Sequence, residues 1–305
     1  KYSEDTSTAA LDLVFDKSMA DDRKEWLGKF DKTMVLDTSQ SEIAYEDFVD
    51  MEMIFFSIYD CARSIPNVMD GLKTSQRKIL YAAFKRKLTN EIKVAQFAGY
   101  VSEHSLYHHG EMSLNKAIVG MAQEFVGSNN INTLLPNGQF GTRLQGGKDS
   151  ASERYIYTLL NPLTPYVFIN NDQYVLDHLD DDGTMVEPEF YAPIIPTILV
   201  NGCKGIGTGF STDVLSYNPL DLVKYLERKL QSANTSDIVL SPYYEGFTGK
   251  IVNLGENKYL IKGKYERIKA DVIRVTELPV GVWTEDFKTN LEKMMETTDK
   301  KGKKI

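Results

Sequence analysis

The chain has 305 residues, 42% of them hydrophobic and 26% charged, with a net charge of −8 at pH 7. That length exceeds one ordinary domain, so two domains or a domain with flanking pieces is expected, and the composition is that of a globular protein with a proper core. No apolar run approaches the ~18–20 residues that cross a bilayer, no secretory or transit signal opens the chain, and Cys61 and Cys203 lack metal-ligand spacing.

Two isolated thiols suit a reducing compartment and argue against a disulfide framework. The opening Lys1-Tyr2-Ser3 and the lysine-rich close at 300–305 read as the ends of a fragment of something larger. The acidic total hides a basic segment. Residues 63–155 hold 12 Lys/Arg against 7 Asp/Glu, leaving 23 against 36 elsewhere. One basic face on an otherwise repelling body is the footprint of a nucleic-acid binder.

In chain order, residues 1–37 mix acidic and basic side chains and contain one predicted helix at 18–30. A polar linker at 39–43 gives way to a helix over 44–62, with Phe48, Met51, Ile54, Phe55, Ile58 and Tyr59 as its apolar stripe. Pro66 ends it, and 67–71 forms a turn. A second helix runs from a cap at Thr74 or Ser75 to about Leu88. It buries Ile79, Leu80, Ala83 and Phe84, and leaves Arg77, Lys78, Lys85, Arg86 and Lys87 mostly for solvent or a partner. Helices over 92–104 and 112–125 follow, separated by Tyr107-His108-His109-Gly110-Glu111.

Residues 134–141 read as a strand and turn, 142–148 as a mobile glycine-rich tip, and 155–160 as a return into structure. Short helices followed by such hairpins fit a helix-turn-helix unit with β-wings. The helix at 112–125 is rather apolar for a groove reader, so the basic helix, the His loop and the wing are expected to contribute much of the phosphate contact. Beyond Asn161-Pro162 the pattern changes to alternating strands and acidic loops. The spacing predicts a turn at 180–183, a buried strand over 191–200 interrupted by prolines, and a helix from Asn218-Pro219 to Leu230. It predicts strands near 250–254, 258–264 and 270–277, and a last helix from Thr284 to about Glu296.

The most informative stretch is Gly147-Lys148-Asp149-Ser150-Ala151-Ser152-Glu153-Arg154-Tyr155. A phenol with a pKa near 10 is a poor nucleophile at neutral pH unless cations surround it. Arg154 is permanently charged and shaped to hold two phosphate oxygens at once. The pair suggests tyrosine attack on a phosphodiester. Tyr157 is the nearest decoy, lacks a preceding arginine and reads as core. His104 and His108 lie four apart but have no third ligand for zinc nearby. Gly205–Gly209 lacks the G-x-G-x-x-G spacing of a nucleotide loop. The three aspartates at 180–182 read as a solvated turn, and Arg63 has Asp60 and Asp70 as candidate ion-pair partners.

Taken together, residues 63–71 (RSIPNVMDG), Gln76-Arg77-Lys78, Tyr107–Glu111, 135–138, 141–143, 154–158 and 201–209 (NGCKGIGTG) resemble the eukaryotic-type type IIA DNA topoisomerases in order and spacing. The resemblance implies an α+β fold. It divides the chain into the tail of a Toprim domain and linker at 1–38, a winged-helix (helix-turn-helix) DNA-binding domain at 39–162, and a mixed α/β tower domain at 163–305. It implies that Tyr155 forms a 5′-phosphotyrosyl link, that Arg154 stabilises the transition state, and that His109 contacts the scissile phosphate with His108 beside it. It assigns Arg63, Lys73 and Arg77 to DNA binding near the break and Ile206 to a wedge between base pairs; from spacing alone Ile206 reads as core.

The family also implies double-stranded DNA and a second copy of the chain as partners, no membrane, and the nucleus as compartment. It needs Mg²⁺ from a Toprim acidic site and ATP from an ATPase domain, and neither motif is in this sequence, so the fragment is expected to cleave poorly alone. A winged-helix binder that never cuts DNA, and an assembly domain with a merely solvated basic segment, are the competing classes. The first has no need of an adjacent Arg-Tyr pair, and the second predicts no salt-dependent DNA affinity.

Overall fold

The computed structural model describes residues 1–255 and 258–296; the lysine-rich 300–305 lies outside them. Two helices open the chain, α1 (Glu4–Phe15) and α2 (Ala20–Gly28). Only the second was expected, because the Leu and Val of α1 cluster at its C-terminal half instead of recurring in a stripe. The predicted helix at 44–62 forms as α3 (Tyr45–Phe48), a π-helical turn (Val49–Met53) and α4 (Ile54–Ser64).

The π turn adds a residue, marked by the Ile54 N–H donating to the Val49 carbonyl, and so rotates the apolar stripe. Val49 and Ile54 are buried with Trp26 and Leu27, and Leu13, Val14, Phe30 and Ile58 pack around them. Phe48, Phe55 and Tyr59, expected inside, remain exposed.

The larger core belongs to α5 (Thr74–Arg86), β1 (Ile92–Lys93), α6 (Val94–His104), α7 (Glu111–Ala122), β2 (Leu134–Asn137) and β3 (Tyr157–Leu160). The Gln76 side chain caps α5 by accepting the Lys73 N–H at 2.9 Å. Lys87 ends the helix in a left-handed conformation, φ 51. The three strands form one antiparallel sheet in the order β1-β3-β2, with Ile92 opposite Thr158 and Leu134 opposite Leu160. Ile79, Leu80, Phe97, Val101, Leu114, Ile118, Leu134 and Ile156 fill the space between helices and sheet. Burying each such side chain stabilises the fold by about 1.5–3 kcal/mol.

From here the chain is a series of small pieces: α8 (Thr164–Val167), the hairpin β4 (His178–Asp181) and β5 (Thr184–Pro188), α9 (Thr197–Asn201), the hairpin β6 (Cys203–Gly207) and β7 (Phe210–Val214), and α10 (Pro219–Leu230). The strand predicted over 191–200 does not form. Pro193 and Pro196 remove ladder donors, so the segment runs irregularly into α9. Asn218 caps α10 as expected, its side chain accepting the Leu220 N–H at 2.9 Å.

The ribbons β8 (Lys250–Gly255) with β9 (Lys258–Lys262) and β10 (Lys264–Lys269) with β11 (Val272–Glu277) lead to α11 (Thr284–Glu296). The strand expected over 258–264 breaks at Gly263, where any Cβ would run into the Glu277 carbonyl. The protein is thus mixed α/β, and no described helix is long and apolar enough to cross a membrane.

Candidate active site and nucleic-acid interface

Tyr155 sits where a loop enters the sheet. Its successors alternate: Ile156 and Thr158 point inward and are buried, while Tyr155 and Tyr157 face outward. Tyr157, expected in the core, is therefore on the surface. The backbone on either side of Tyr155 is fixed, with the Ala95 N–H donating to Glu153 at 3.1 Å and the Val94 N–H to Ile156 at 3.0 Å. The turn that leads into β3 thus presents a phenol that is 75% exposed. Arg154 beside it is exposed and, among the described residues, has no carboxylate partner.

The preceding loop is not the mobile tip that its glycines suggest. Thr142 donates from both N–H (2.9 Å) and hydroxyl (2.5 Å) to the Asp149 carboxylate. Gln123, just past the end of α7, donates to the Phe140 carbonyl at 2.8 Å and the Gly147 carbonyl at 3.3 Å. The glycines serve close approach: a Cβ on Gly141 would lie 2.6 Å from the Gly147 backbone. A groove between α7 and this loop is lined by Met112, Asn115, Lys116, Lys148 and Glu153.

His109 shares a short hydrogen bond at Nε2 with the Tyr59 phenol, and the Tyr107 ring stands 5.3 Å away. Burial holds its pKa below the ordinary histidine value, helped by the charges of Arg63, His108 and Lys78, so the ring is neutral at pH 7. His108 turns the other way, its Nε2 3.1 Å from Asp181 of the β4–β5 hairpin. The acidic turn therefore holds a histidine as well as facing solvent. The His104 ring lies tilted against that of Tyr100, centroids 4.0 Å apart, and no described cluster of His, Cys, Asp and Glu is arranged for a metal ion.

The expected basic set divides. Arg63, in the last turn of α4, is exposed and pairs with neither Asp60 nor Asp70; half-buried Lys73 is likewise without an ion pair among the described residues. Arg77, expected to grip DNA, is buried. Its Nε and guanidinium nitrogen donate to the two Asp70 oxygens at 2.8 and 3.0 Å, and it reaches the Leu72 carbonyl at 2.9 Å. Asp70 also accepts the Leu72 and Tyr191 N–H groups, both at 2.9 Å. Nε and one terminal nitrogen are thus engaged inside the protein, tying the side chain to Asp70 and Leu72, and only the other terminal nitrogen is without a hydrogen bond among the described residues. Lys78 of the same helix, expected to face outward, pairs with buried Glu187 at 2.9 Å.

Ile206 is 81% exposed near the tip of β6–β7, which removes the core reading. Its neighbours explain the direction. Gly207 lies so close to α4 that a Cβ would sit 3.0 Å from Cys61 Sγ, and Gly205 is pressed against the Ser64 carbonyl. The hairpin lies flush on the helix, and the intervening residue must point away. Sequence reasoning missed Tyr59, Glu187 and the Asp70–Arg77 pairing. No local signal exists for the first two, whose partners lie 50 and 109 positions away.

The chain is similar to known proteins over nearly its whole length. The family of the DNA gyrase/topoisomerase IV A-subunit matches residues 63–305, and one described as the C-terminal associated domain of TOPRIM matches 1–61. DNA topoisomerase 2 of Arabidopsis thaliana is 48% identical over 96% of this chain and 20% of its own length. DNA topoisomerase 2 of Acanthamoeba polyphaga mimivirus is 45% identical over 96% of this chain and 23% of its own. A crystal structure of the Plasmodium falciparum topoisomerase II DNA-binding, cleavage and re-ligation domain superposes with a TM-score of 0.84 at 46% identity, covering 98% of this chain and 40% of that one. The chain thus spans about a fifth of the length of the curated relatives it matches.

Proposed function

Because the chain belongs to the DNA gyrase/topoisomerase IV A-subunit family of type II topoisomerases, we propose that it forms the DNA-cleaving gate of such an enzyme. The observation that carries this is an exposed Arg154, without a carboxylate partner among the described residues, beside an exposed Tyr155 on a tied-down backbone. The Tyr155 phenolic oxygen attacks a backbone phosphorus. The bond to the 3′ oxygen breaks, the phenol loses its proton and the leaving oxygen gains one. The product is a 5′-phosphotyrosyl ester and a free 3′-hydroxyl. One ester replaces another, so religation is the same step reversed.

Arg154 stabilises charge spread over the equatorial phosphoryl oxygens, worth about 10²–10³-fold in rate for one well-aimed donor. His109, neutral and half-buried, donates to the same phosphate. Arg63, Lys73 and His108 hold flanking phosphates, the last after exchanging Asp181 for DNA. Ile206 is the apolar wedge that unstacks a base step and bends the duplex.

Supporting a winged-helix reading is the order helix, strand, helix, helix, strand, strand from α5 to β3. The hairpins and helices beyond 163 would be the tower, and 1–38 the end of a Toprim unit. Mg²⁺ and ATP serve such enzymes in general. Neither group is assigned to this chain. The working enzyme is taken to be a homodimer on double-stranded DNA that relaxes and decatenates by strand passage. The eukaryotic relatives motivate the nucleus as its compartment.

Covalent trapping tests the reading. The intact protein is mixed with Mg²⁺ and 3′-end-labelled duplex and then denatured. Label linked to protein through a 5′ end, and absent in Tyr155→Phe, is the expected result. Salt-sensitive binding without an adduct in either protein reduces the chain to a DNA-binding module.

A further inference from the structure

The loop that delivers Arg154 and Tyr155 is held by a segment far along the chain. Arg143 forms an ion pair with Glu277, 134 positions away at the end of β11, and donates to the Leu278 carbonyl. Glu277 is buried and also accepts the Thr248 N–H at 3.0 Å and its hydroxyl at 2.7 Å. Burial alone would raise the Glu277 carboxyl, but the hydrogen bonds from Thr248 and Arg143 together hold it below its usual range, so it stays charged.

Two residues past the bend at Gly281, the Trp283 indole lies against the backbone of Gly146, so closely that any Cβ there would run into the ring. Trp283 also meets Phe125 edge-on at 5.8 Å. The first N–H groups of α11 then donate back to the loop, Thr284 to the Arg143 carbonyl at 3.4 Å and Glu285 to the Leu144 carbonyl at 3.1 Å. Residues 277–285 therefore clasp 143–147 from side chains and backbone alike, and the start of α11 is built onto the loop that ends in the nucleophile.

We propose that Trp283, seated on Gly146, is a positioning residue that sets the placement of Arg154 and Tyr155 and makes it depend on the attitude of α11. The proposal rests on the reading of Tyr155 as nucleophile. The contact is apolar and shape-specific: glycine is required because its φ is +62 and because the indole occupies the Cβ position. Trp283 touches neither reacting residue and does not line the groove against α7. Moving α11 would move the loop through the indole and the paired backbone groups without crossing the hydrophobic core.

The experiment uses the intact protein with variants Trp283→Ala, Trp283→Phe and Gly146→Ala, and the double variant of the two alanine changes. Adduct formation with labelled duplex is followed against pH, alongside DNA affinity. Trp283→Ala is expected to slow adduct formation at least tenfold, to move the rising limb of the pH–rate profile to higher pH, and to leave DNA affinity within twofold. Trp283→Phe restores most of the rate. Gly146→Ala is as harmful as Trp283→Ala alone, and the double variant is no worse than either, because both break one contact.

Rate and affinity falling together with an unmoved pH profile, or additive losses in the double variant, would mean that Trp283 only stabilises the fold, and would overturn the proposal. Wild-type rates in Trp283→Ala would overturn it as well. Absence of any Tyr155 adduct in the unmutated protein would instead sink the underlying nucleophile assignment, and the positioning role with it.

Discussion

Around Arg77 the chain hides its charges: both Asp70 oxygens and the guanidinium are inside, and four donors converge on one carboxylate. Around Arg154 it does the reverse, tying down the backbone with hydrogen bonds and leaving guanidinium and phenol in solvent. The first region holds the turn at 66–71, helix α5 and the 191–197 segment in one arrangement, aided by the Thr197 hydroxyl donating to the Asp70 carbonyl at 2.7 Å. The second is held by its neighbours so that its side chains remain free. Two arginines of equal charge are thus set in opposite surroundings, one buried and paired, the other exposed.

The sharpest way to break this contrast is Arg77→Ala. It leaves a buried carboxylate without its cation, which should cost about 3–5 kcal/mol in urea unfolding. A loss below about 1 kcal/mol would mean that the pair is not structural. Arg154→Ala should do the opposite, shifting stability by less than about 0.5 kcal/mol while slowing adduct formation by roughly 10²–10³-fold. An equal loss of stability would merge the two regions.

Ile206→Ala sharpens the comparison at a third exposed side chain. Unfolding should not change, and the bent population of a bound duplex, read by fluorescence transfer between its ends, should fall on the order of tenfold. That is about 1.4 kcal/mol, within the few-kcal/mol scale of unstacking one base step.

The smallest effect concerns His109. Its folded-state pKa is depressed, chiefly by burial and then by Arg63, His108 and Lys78. The unfolded chain therefore binds more protons than the folded one just below the ordinary histidine value. Stability from this group is full above about pH 6.5 and falls as pH drops through that window. In His109→Gln this slope should disappear from the pH profile of unfolding; an unchanged slope would place its origin elsewhere.

Much of this was legible along the chain. Asn218-Pro219 announces α10 because a side-chain acceptor and a missing donor are what a helix start requires. The stripe of α5 announces its buried face because helical period and core burial are linked locally. The Arg154-Tyr155 pair is readable because its chemistry lies in two adjacent residues. The stripe over 45–64 misled because a π turn shifts the phase of every later side chain, and no residue type marks it.

The sequence by itself determined residue chemistry, the start of α10, and the order of motifs that carries the family. Only the tertiary structure decided that Arg77 is sealed against Asp70, that Tyr59 meets His109, that Ile206 points outward, and that Trp283 rests on Gly146. Those outcomes depend on which surfaces meet across tens of residues. A charge or ring becomes a reagent, a wedge or a brace according to the groups that desolvate and pair it.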